Sequence, residues 1–397
     1  MHMIEINSLL LITSVILMSL LAVGLFDKIS PINLVEHGRN NQIDGMRGFL
    51  AIFVLIHHAA IWNGYLSSGV WEAPSSNLLA NLGQVGVSFF FMITGYLFFS
   101  KIISGDQDWT RLYVSRLLRL TPMFIVSLCL IFIIVGFKSG WRMQVSTEEL
   151  FVSIMKWLPF TALGMPNIND VKDSFTINAA VTWTLVYEWF FYFSLPVISA
   201  LIKRKVSIYM VMISAISLFV FILFFSKIHI VSFLFGLLAF LLNKSKIVNG
   251  IAKAKVTPII ITAIMIFEMT YFKTTYAPLP LIICGITFII IASGCDLYGI
   301  LRLNITRKLG ETTYSVYLLH GIFLYCLMTW IIPNNYTENT FIILVSTTAF
   351  LITFTSCLTF KLIETPFIKL TKQTTTLVKE LIPTLTNNKQ QSTINKQ

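Results

Sequence analysis

The chain has 397 residues, of which 56% are hydrophobic and 12% charged, with a mean hydropathy of +0.78. A soluble domain carries roughly twice that charge, so composition excludes a water-soluble enzyme and makes lipid the solvent for most of the chain. The formal charge of +11 sits in short basic clusters between apolar runs, as topology signals do, and nucleic acid is not an expected partner.

Apolar runs near the ~20 residues needed to cross a bilayer fall at 6–26, 47–66, 79–100, 118–137, 181–201, 207–225, 230–242, 257–272, 279–294, 312–332 and 341–360, which predicts about eleven transmembrane helices. The first run carries Glu5 and no lysine or arginine before its core, and no A-x-A site follows, so it reads as an uncleaved helix. The run at 230–242 is short for a span, but the orientation of every later span depends on it. With the N-terminus outside and the C-terminus inside, only Lys138, Arg142, Lys156, Lys172, Lys227 and Lys273 of the 29 basic residues lie outside.

A charge near the bilayer centre costs at least ~2.5–3.5 kcal/mol, so ionisable residues within spans need a partner or a task. Arg47 and His58 share the second run, eleven residues apart. They differ by about 20° around the helix and ~16 Å along it, so the arginine sits at the inner rim and the histidine near mid-membrane on one track. The bland alternative is a snorkelling arginine and a histidine bonded to the helix backbone. His57 points about 100° away and reads as the structural member of the pair.

Gly83 to Gly95 sets small residues among phenylalanines in the third run, which favours close backbone packing. Arg111, Arg116 and Arg119 flank the fourth; Arg116 and Arg119, three apart, face one way and can clamp phosphates or simply meet anionic lipid. The segment 138–180 is the only long outer loop, and Trp141, Trp157 and Pro159 place part of it at the membrane interface. Glu188 in the fifth run suits pairing with an imidazole, orienting a hydroxyl substrate, or a helix-to-helix hydrogen bond. Glu268 falls near an outer end, and His320 lies mid-depth in the tenth run. Five scattered cysteines read as small core residues, and the tail beyond Lys372 as disordered.

Six elements occur in one order. They are Ile43-Asp44-Gly45-Met46 followed by Arg47, ten residues, then His58; Gly86-Val87-Ser88-Phe89-Phe90-Phe91-Met92-Ile93-Thr94-Gly95; Arg116-Leu117-Leu118-Arg119 with Leu120 and Pro122; Trp183-Thr184-Leu185-Val186-Tyr187-Glu188; Leu309-Gly310-Glu311 through His320; and Glu364-Thr365-Pro366. This order resembles acyltransferase family 3 over residues 43–366. Threonine replaces the family's usual serine at Thr94 and Thr184 and keeps the hydroxyl. The helix before residue 43 is additional, and no hydrolase-like extracytoplasmic domain is fused.

The resemblance implies an all-α polytopic bundle, with a ten-helix acyltransferase core over 43–372, an extra N-terminal helix and linker over 1–42, and a cytoplasmic tail over 373–397. It implies a multi-pass protein of the bacterial inner membrane. The donor would be cytoplasmic acyl-CoA, chiefly acetyl-CoA, and no metal is expected. The acceptor would be an extracytoplasmic carbohydrate, free or lipid-linked, such as lipopolysaccharide O-antigen. On this reading Arg116, Arg119 and Arg47 hold the donor, His58 is general base or transient acyl carrier, and Glu188 and His320 orient the acceptor or share the proton. Two alternatives stand beside it: a flippase or transporter of a lipid-linked glycan, and an acyltransferase for a small molecule or lipid.

Overall fold

The computed structural model describes residues 5–34, 40–105, 107–202, 206–333 and 335–381. Among them no strand occurs beyond one isolated bridge, Ile168 to Val171. The helices are α1 Ser8–Ile29, α2 Asn41–Ser68, α3 Asn77–Ser104, α4 Trp109–Lys138, α5 Thr147–Trp157, α6 Trp183–Leu201, α7 Ile208–Phe224, α8 Lys227–Leu242, α9 Lys246–Lys253, α10 Thr257–Tyr271, α11 Pro278–Ala292, α12 Asn304–Glu311, α13 Thr313–Cys326, α14 Glu338–Thr359 and α15 Thr365–Lys369. Polar side chains start them: Asn7, Asn40, Ser76, Asp108 and Thr337 each accept from an otherwise orphaned first-turn amide.

The protein is an all-α polytopic helical bundle. Each of the eleven apolar runs is a helix, and seven helices are long and apolar enough to cross a membrane. The remaining four are shorter. α7, α10 and α11 have 17, 15 and 15 residues, and α8 joins α9 through a 100° bend. α7 buries only Ser214 and Phe221 and exposes Tyr209, Ile213, Ile216 and Phe224, a face suited to lipid.

The basic clusters gather at one end of the bundle. Lys308 meets Asp27 at 2.5 Å, Lys379 meets Asp108 at 2.7 Å, and Lys361 donates to Ser30. At the far end Asn7 N donates to Glu338 at 2.7 Å and Tyr336 to Asn63 at 2.7 Å. Arg39 and Lys203 to Lys205, counted among the inner charges, lie outside the described residues.

The glycines of α3 set the central crossings. A Cβ at Gly95 would lie 2.2 Å from the Phe233 carbonyl oxygen of α8, and one at Gly236 2.2 Å from that of Met92. Only glycine lets these backbones touch. Gly83 receives the His57 ring, which would stand 2.4 Å from an added Cβ.

Two expectations need correction. Residues 373–381, assigned to a disordered tail, are helical, anchored by the Lys379 to Asp108 pair; 382–397 lie outside the described residues. In the outer loop Trp157 is fully buried and donates to Pro166 O at 3.0 Å, whereas Trp141 is 66% exposed. Cys129 is exposed, although Cys284, Cys295 and Cys357 are buried. Glu268 is fully buried and accepts from Thr275 Oγ1 at 2.8 Å, tying the α10–α11 turn to its helix.

Candidate active site

A cavity of about 540 Å³ runs into the bundle from the basic end, within the ~300–1,000 Å³ usual for small-molecule sites. It follows α3 from Ser104 to Val87, ~25 Å of helix. Arg47, Lys101, Arg116 and Arg119 line it together with only two carboxylates, Asp44 and Glu188, so its formal charge is positive. The Phe98 ring lies between two of these cations, 5.1 Å from Lys101 Nζ and 5.3 Å from the Arg116 guanidinium carbon. Both distances suit cation–π attraction.

Glu188 is held in this cavity by Tyr192 Oη, which donates at 2.5 Å, and Thr94 Oγ1, which donates at 3.2 Å. Its hydrogen bonds therefore go to hydroxyls rather than to an imidazole. Glu364 is fully buried, accepts from Ser315 Oγ at 2.5 Å, and lies within electrostatic reach of Arg119 and Arg47. It offers the arginines a countercharge from the 360–364 turn that follows α14.

The histidines form a separate unit. His320 Nε2 lies 3.1 Å from His58 Nδ1, joining residues 262 positions apart. Each ring also meets the carbonyl one turn back in its own helix, His58 Nδ1 to Val54 O at 3.0 Å and His320 Nδ1 to Val316 O at 3.1 Å. A carbonyl only accepts, so both Nδ1 atoms carry hydrogen. His320 Nε2 must then be an acceptor, His58 Nδ1–H is shared between Val54 O and His320, and His58 Nε2 keeps a free lone pair. His57 is turned into the α2–α3 seam, where its Nδ1 lies 3.0 Å from Leu79 O.

The cavity stops one turn short of this pair. Its deep end is walled by Phe90 and Tyr317; Tyr317 Oη donates to Val181 O at 2.9 Å, and its ring lies 5.9 Å from that of His320. On the other side the Trp71 ring, from the α2–α3 connection at the far end, lies 6.4 Å from His58 and within 19° of parallel. The sequence-derived residues thus divide, with Arg47, Arg116, Arg119 and Glu188 around one cavity and His58 with His320 beyond it. Lys101, Phe98, Tyr317 and Glu364 were not singled out for roles, and only the Phe98 to Lys101 spacing of three hinted at one.

These features define a polytopic membrane protein with a cation-lined cavity leading toward a histidine pair, His320 buried and His58 half-buried. The acyltransferase-domain family matches residues 40–360, and the chain belongs to acyltransferase family 3. It is 26% identical over 184 residues to Nodulation protein 10 of Rhizobium leguminosarum bv. viciae, a stretch covering 44% of this chain and 48% of the relative. The chain therefore spans about half the length of the curated relative it matches. No solved structure matches.

Proposed function

We propose that the protein transfers an acetyl group from cytoplasmic acetyl-CoA to a hydroxyl of an envelope carbohydrate on the opposite side of the bacterial inner membrane. Surface polysaccharide, such as lipopolysaccharide O-antigen, is the acceptor class. One observation carries this reading: a positively charged cavity enters from the basic end and ends at Tyr317, one helical turn before a histidine pair overlaid from the far end by Trp71.

Basic clusters mark the cytoplasmic side, so donor phosphates meet Arg116, Arg119, Lys101 and Arg47 there, where guanidinium groups bind phosphate bidentately. The acyl arm follows α3 inward past Tyr317. At His58, Nε2 takes the proton of the acceptor hydroxyl as its oxygen attacks the thioester carbonyl carbon. The carbon–sulfur bond breaks, and the departing thiolate takes that proton back from the imidazolium. His320 supports the step by accepting His58 Nδ1–H, which orients the ring and stabilises its charged form.

Radiolabelled acetyl-CoA supplied to membranes containing the protein tests this reading. Label should enter carbohydrate, and His58→Ala should stop it. Translocation of a lipid-linked glycan without acyl incorporation would replace the proposal with a flippase.

A further inference from the structure

The far end carries a second arrangement that acyl transfer from the donor side leaves unused. Trp71 stands in a box of rings, 5.2 Å from Trp62, 5.6 Å from Tyr65 and 6.4 Å from Phe175, all at steep angles, while one face lies nearly parallel to His58. Tyr65 Oη donates to Asp173 Oδ2 at 3.3 Å, setting a carboxylate at the rim of the box. Asp173 has φ of 53°, a left-handed conformation that a non-glycine residue adopts at a cost.

Two buried donors accompany these rings. Trp62 is 1% exposed, lies one helical turn beyond His58, and its Nε1–H has no hydrogen-bond partner among the described residues. Asn178 is also 1% exposed. Its Oδ1 accepts from Ala180 N at 3.1 Å, which fixes the amide's orientation and leaves Nδ2 without a partner among the described residues. The Asn178 backbone packs on Gly321, the residue after His320, where an added Cβ would lie 2.3 Å from the Asn178 carbonyl carbon.

Buried donors left unsatisfied are uncommon and call for a partner. Here Trp62 stands in the box of rings, and Asn178 lies three residues beyond Phe175 and five beyond Asp173 in the same segment. That combination suits a pyranose, whose C–H face covers a ring while its oxygens accept from N–H groups and its hydroxyls donate to carboxylate. A lipid chain would leave the donors unsatisfied, and a phosphate would be repelled by Asp173.

We propose that Trp71, the Trp62 and Asn178 N–H donors and the Asp173 carboxylate form a subsite for one sugar ring of the acceptor, holding its hydroxyl against His58. This rests on the carbohydrate reading of the acceptor given above. Trp71 and Asp173 lie toward the end opposite the cation-lined cavity, so on this proposal donor and acceptor use different entrances.

The test uses full-length protein in membranes, radiolabelled acetyl-CoA and a panel of defined oligosaccharides containing hexoses, N-acetylhexosamines and uronic acids. Variants are compared at equal membrane abundance. Trp71→Leu should raise the acceptor KM by about tenfold or more, and Trp71→Phe by less, since it keeps a smaller ring. Asn178→Asp, which keeps the acceptor for Ala180 N but replaces the donor with a carboxylate oxygen, should lower kcat/KM for the acceptor. None of the three should move the donor KM.

If the wild type acylates an oligosaccharide and Trp71→Leu leaves its KM unchanged, or shifts the donor KM equally, the subsite is overturned and the carbohydrate reading survives. If the wild type acylates a lipid or small molecule and none of the oligosaccharides, the carbohydrate reading and the sugar assignment fall together.

Discussion

The arginine cavity and the histidine pair both place polar groups inside an apolar bundle, yet each satisfies them differently. Arginine has five donors and no acceptor, and a helix offers it nothing locally. The cavity's cations are accordingly met from several elements, with Phe98 of α3 against the Arg116 guanidinium, Glu188 of α6 in the same cavity and Glu364 just beyond α14 within electrostatic reach. Each histidine instead engages the carbonyl four residues back in its own helix, through Nδ1. That local bond fixes the tautomer and leaves Nε2 for chemistry or for the other ring. Binding capacity is therefore a product of tertiary assembly, while proton-accepting capacity begins in helix geometry.

The sharpest way to break this comparison is at the two adjacent histidines of α2. His58→Ala should cost at least ~10²-fold in acyl transfer, the usual contribution of a positioned general base, with membrane abundance retained. His57→Ala should keep measurable activity per molecule and instead lower abundance, because His57 fills the seam against Gly83 and lies 3.0 Å from Leu79 O. Label incorporated per unit of immunoblotted protein distinguishes the two. Reversed behaviour would make His57 the chemical residue.

A smaller effect is expected at the other region. Exchanging Arg116 and Arg119 together for glutamine should raise the donor KM about 10- to 100-fold, the equivalent of one charge-assisted hydrogen bond of ~1.5–3 kcal/mol, because the glutamine amides still donate to phosphate. The acceptor KM should stay in place. Initial rates over a matrix of donor and acceptor concentrations read both constants, and an unchanged donor constant would leave these arginines as topology signals.

Much of this division was open to sequence reasoning, for local reasons. Span lengths exposed all eleven helices, the eleven-residue interval put Arg47 and His58 on one track, and the three-residue interval put Arg116 and Arg119 on one cavity wall. What escaped depends on long-range packing. The His58 to His320 contact joins α2 to α13, and nothing near either residue announces it. On sequence alone Glu188 stands open among an imidazole partner, a group orienting a hydroxyl substrate and a helix-to-helix hydrogen bond; in the fold it accepts from Tyr192, one turn along the same helix, and from Thr94 of α3, a bond of the last kind. Tyr317 looked like one more apolar-span tyrosine, although its bonds to the 181–184 segment close the cavity. The helix at 371–381 was obscured by its Thr-rich composition, since threonine hydroxyls that return to backbone carbonyls, as Thr375 does to Thr371, make a polar stretch compatible with helix.

The smallest expected effect refines the account of Glu188. Tyr192→Phe removes one hydroxyl donor to the Glu188 carboxylate and should change the donor KM by about 10-fold, the low end of the ~1.5–3 kcal/mol for a hydrogen bond to a charged group, because Thr94 still donates to it. Glu188→Gln should exceed it, because the cavity then loses a charge among four cations. Equal effects on the acceptor constant would move Glu188 functionally to the histidine side.

The central claim is that donor and acceptor reach one site from opposite ends. Sealed right-side-out vesicles test it most directly, with acetyl-CoA trapped in the lumen or added outside and carbohydrate acceptor always outside. The account predicts acylation from trapped donor and little from external donor. Equal acylation from external acetyl-CoA in vesicles shown to be sealed would contradict it.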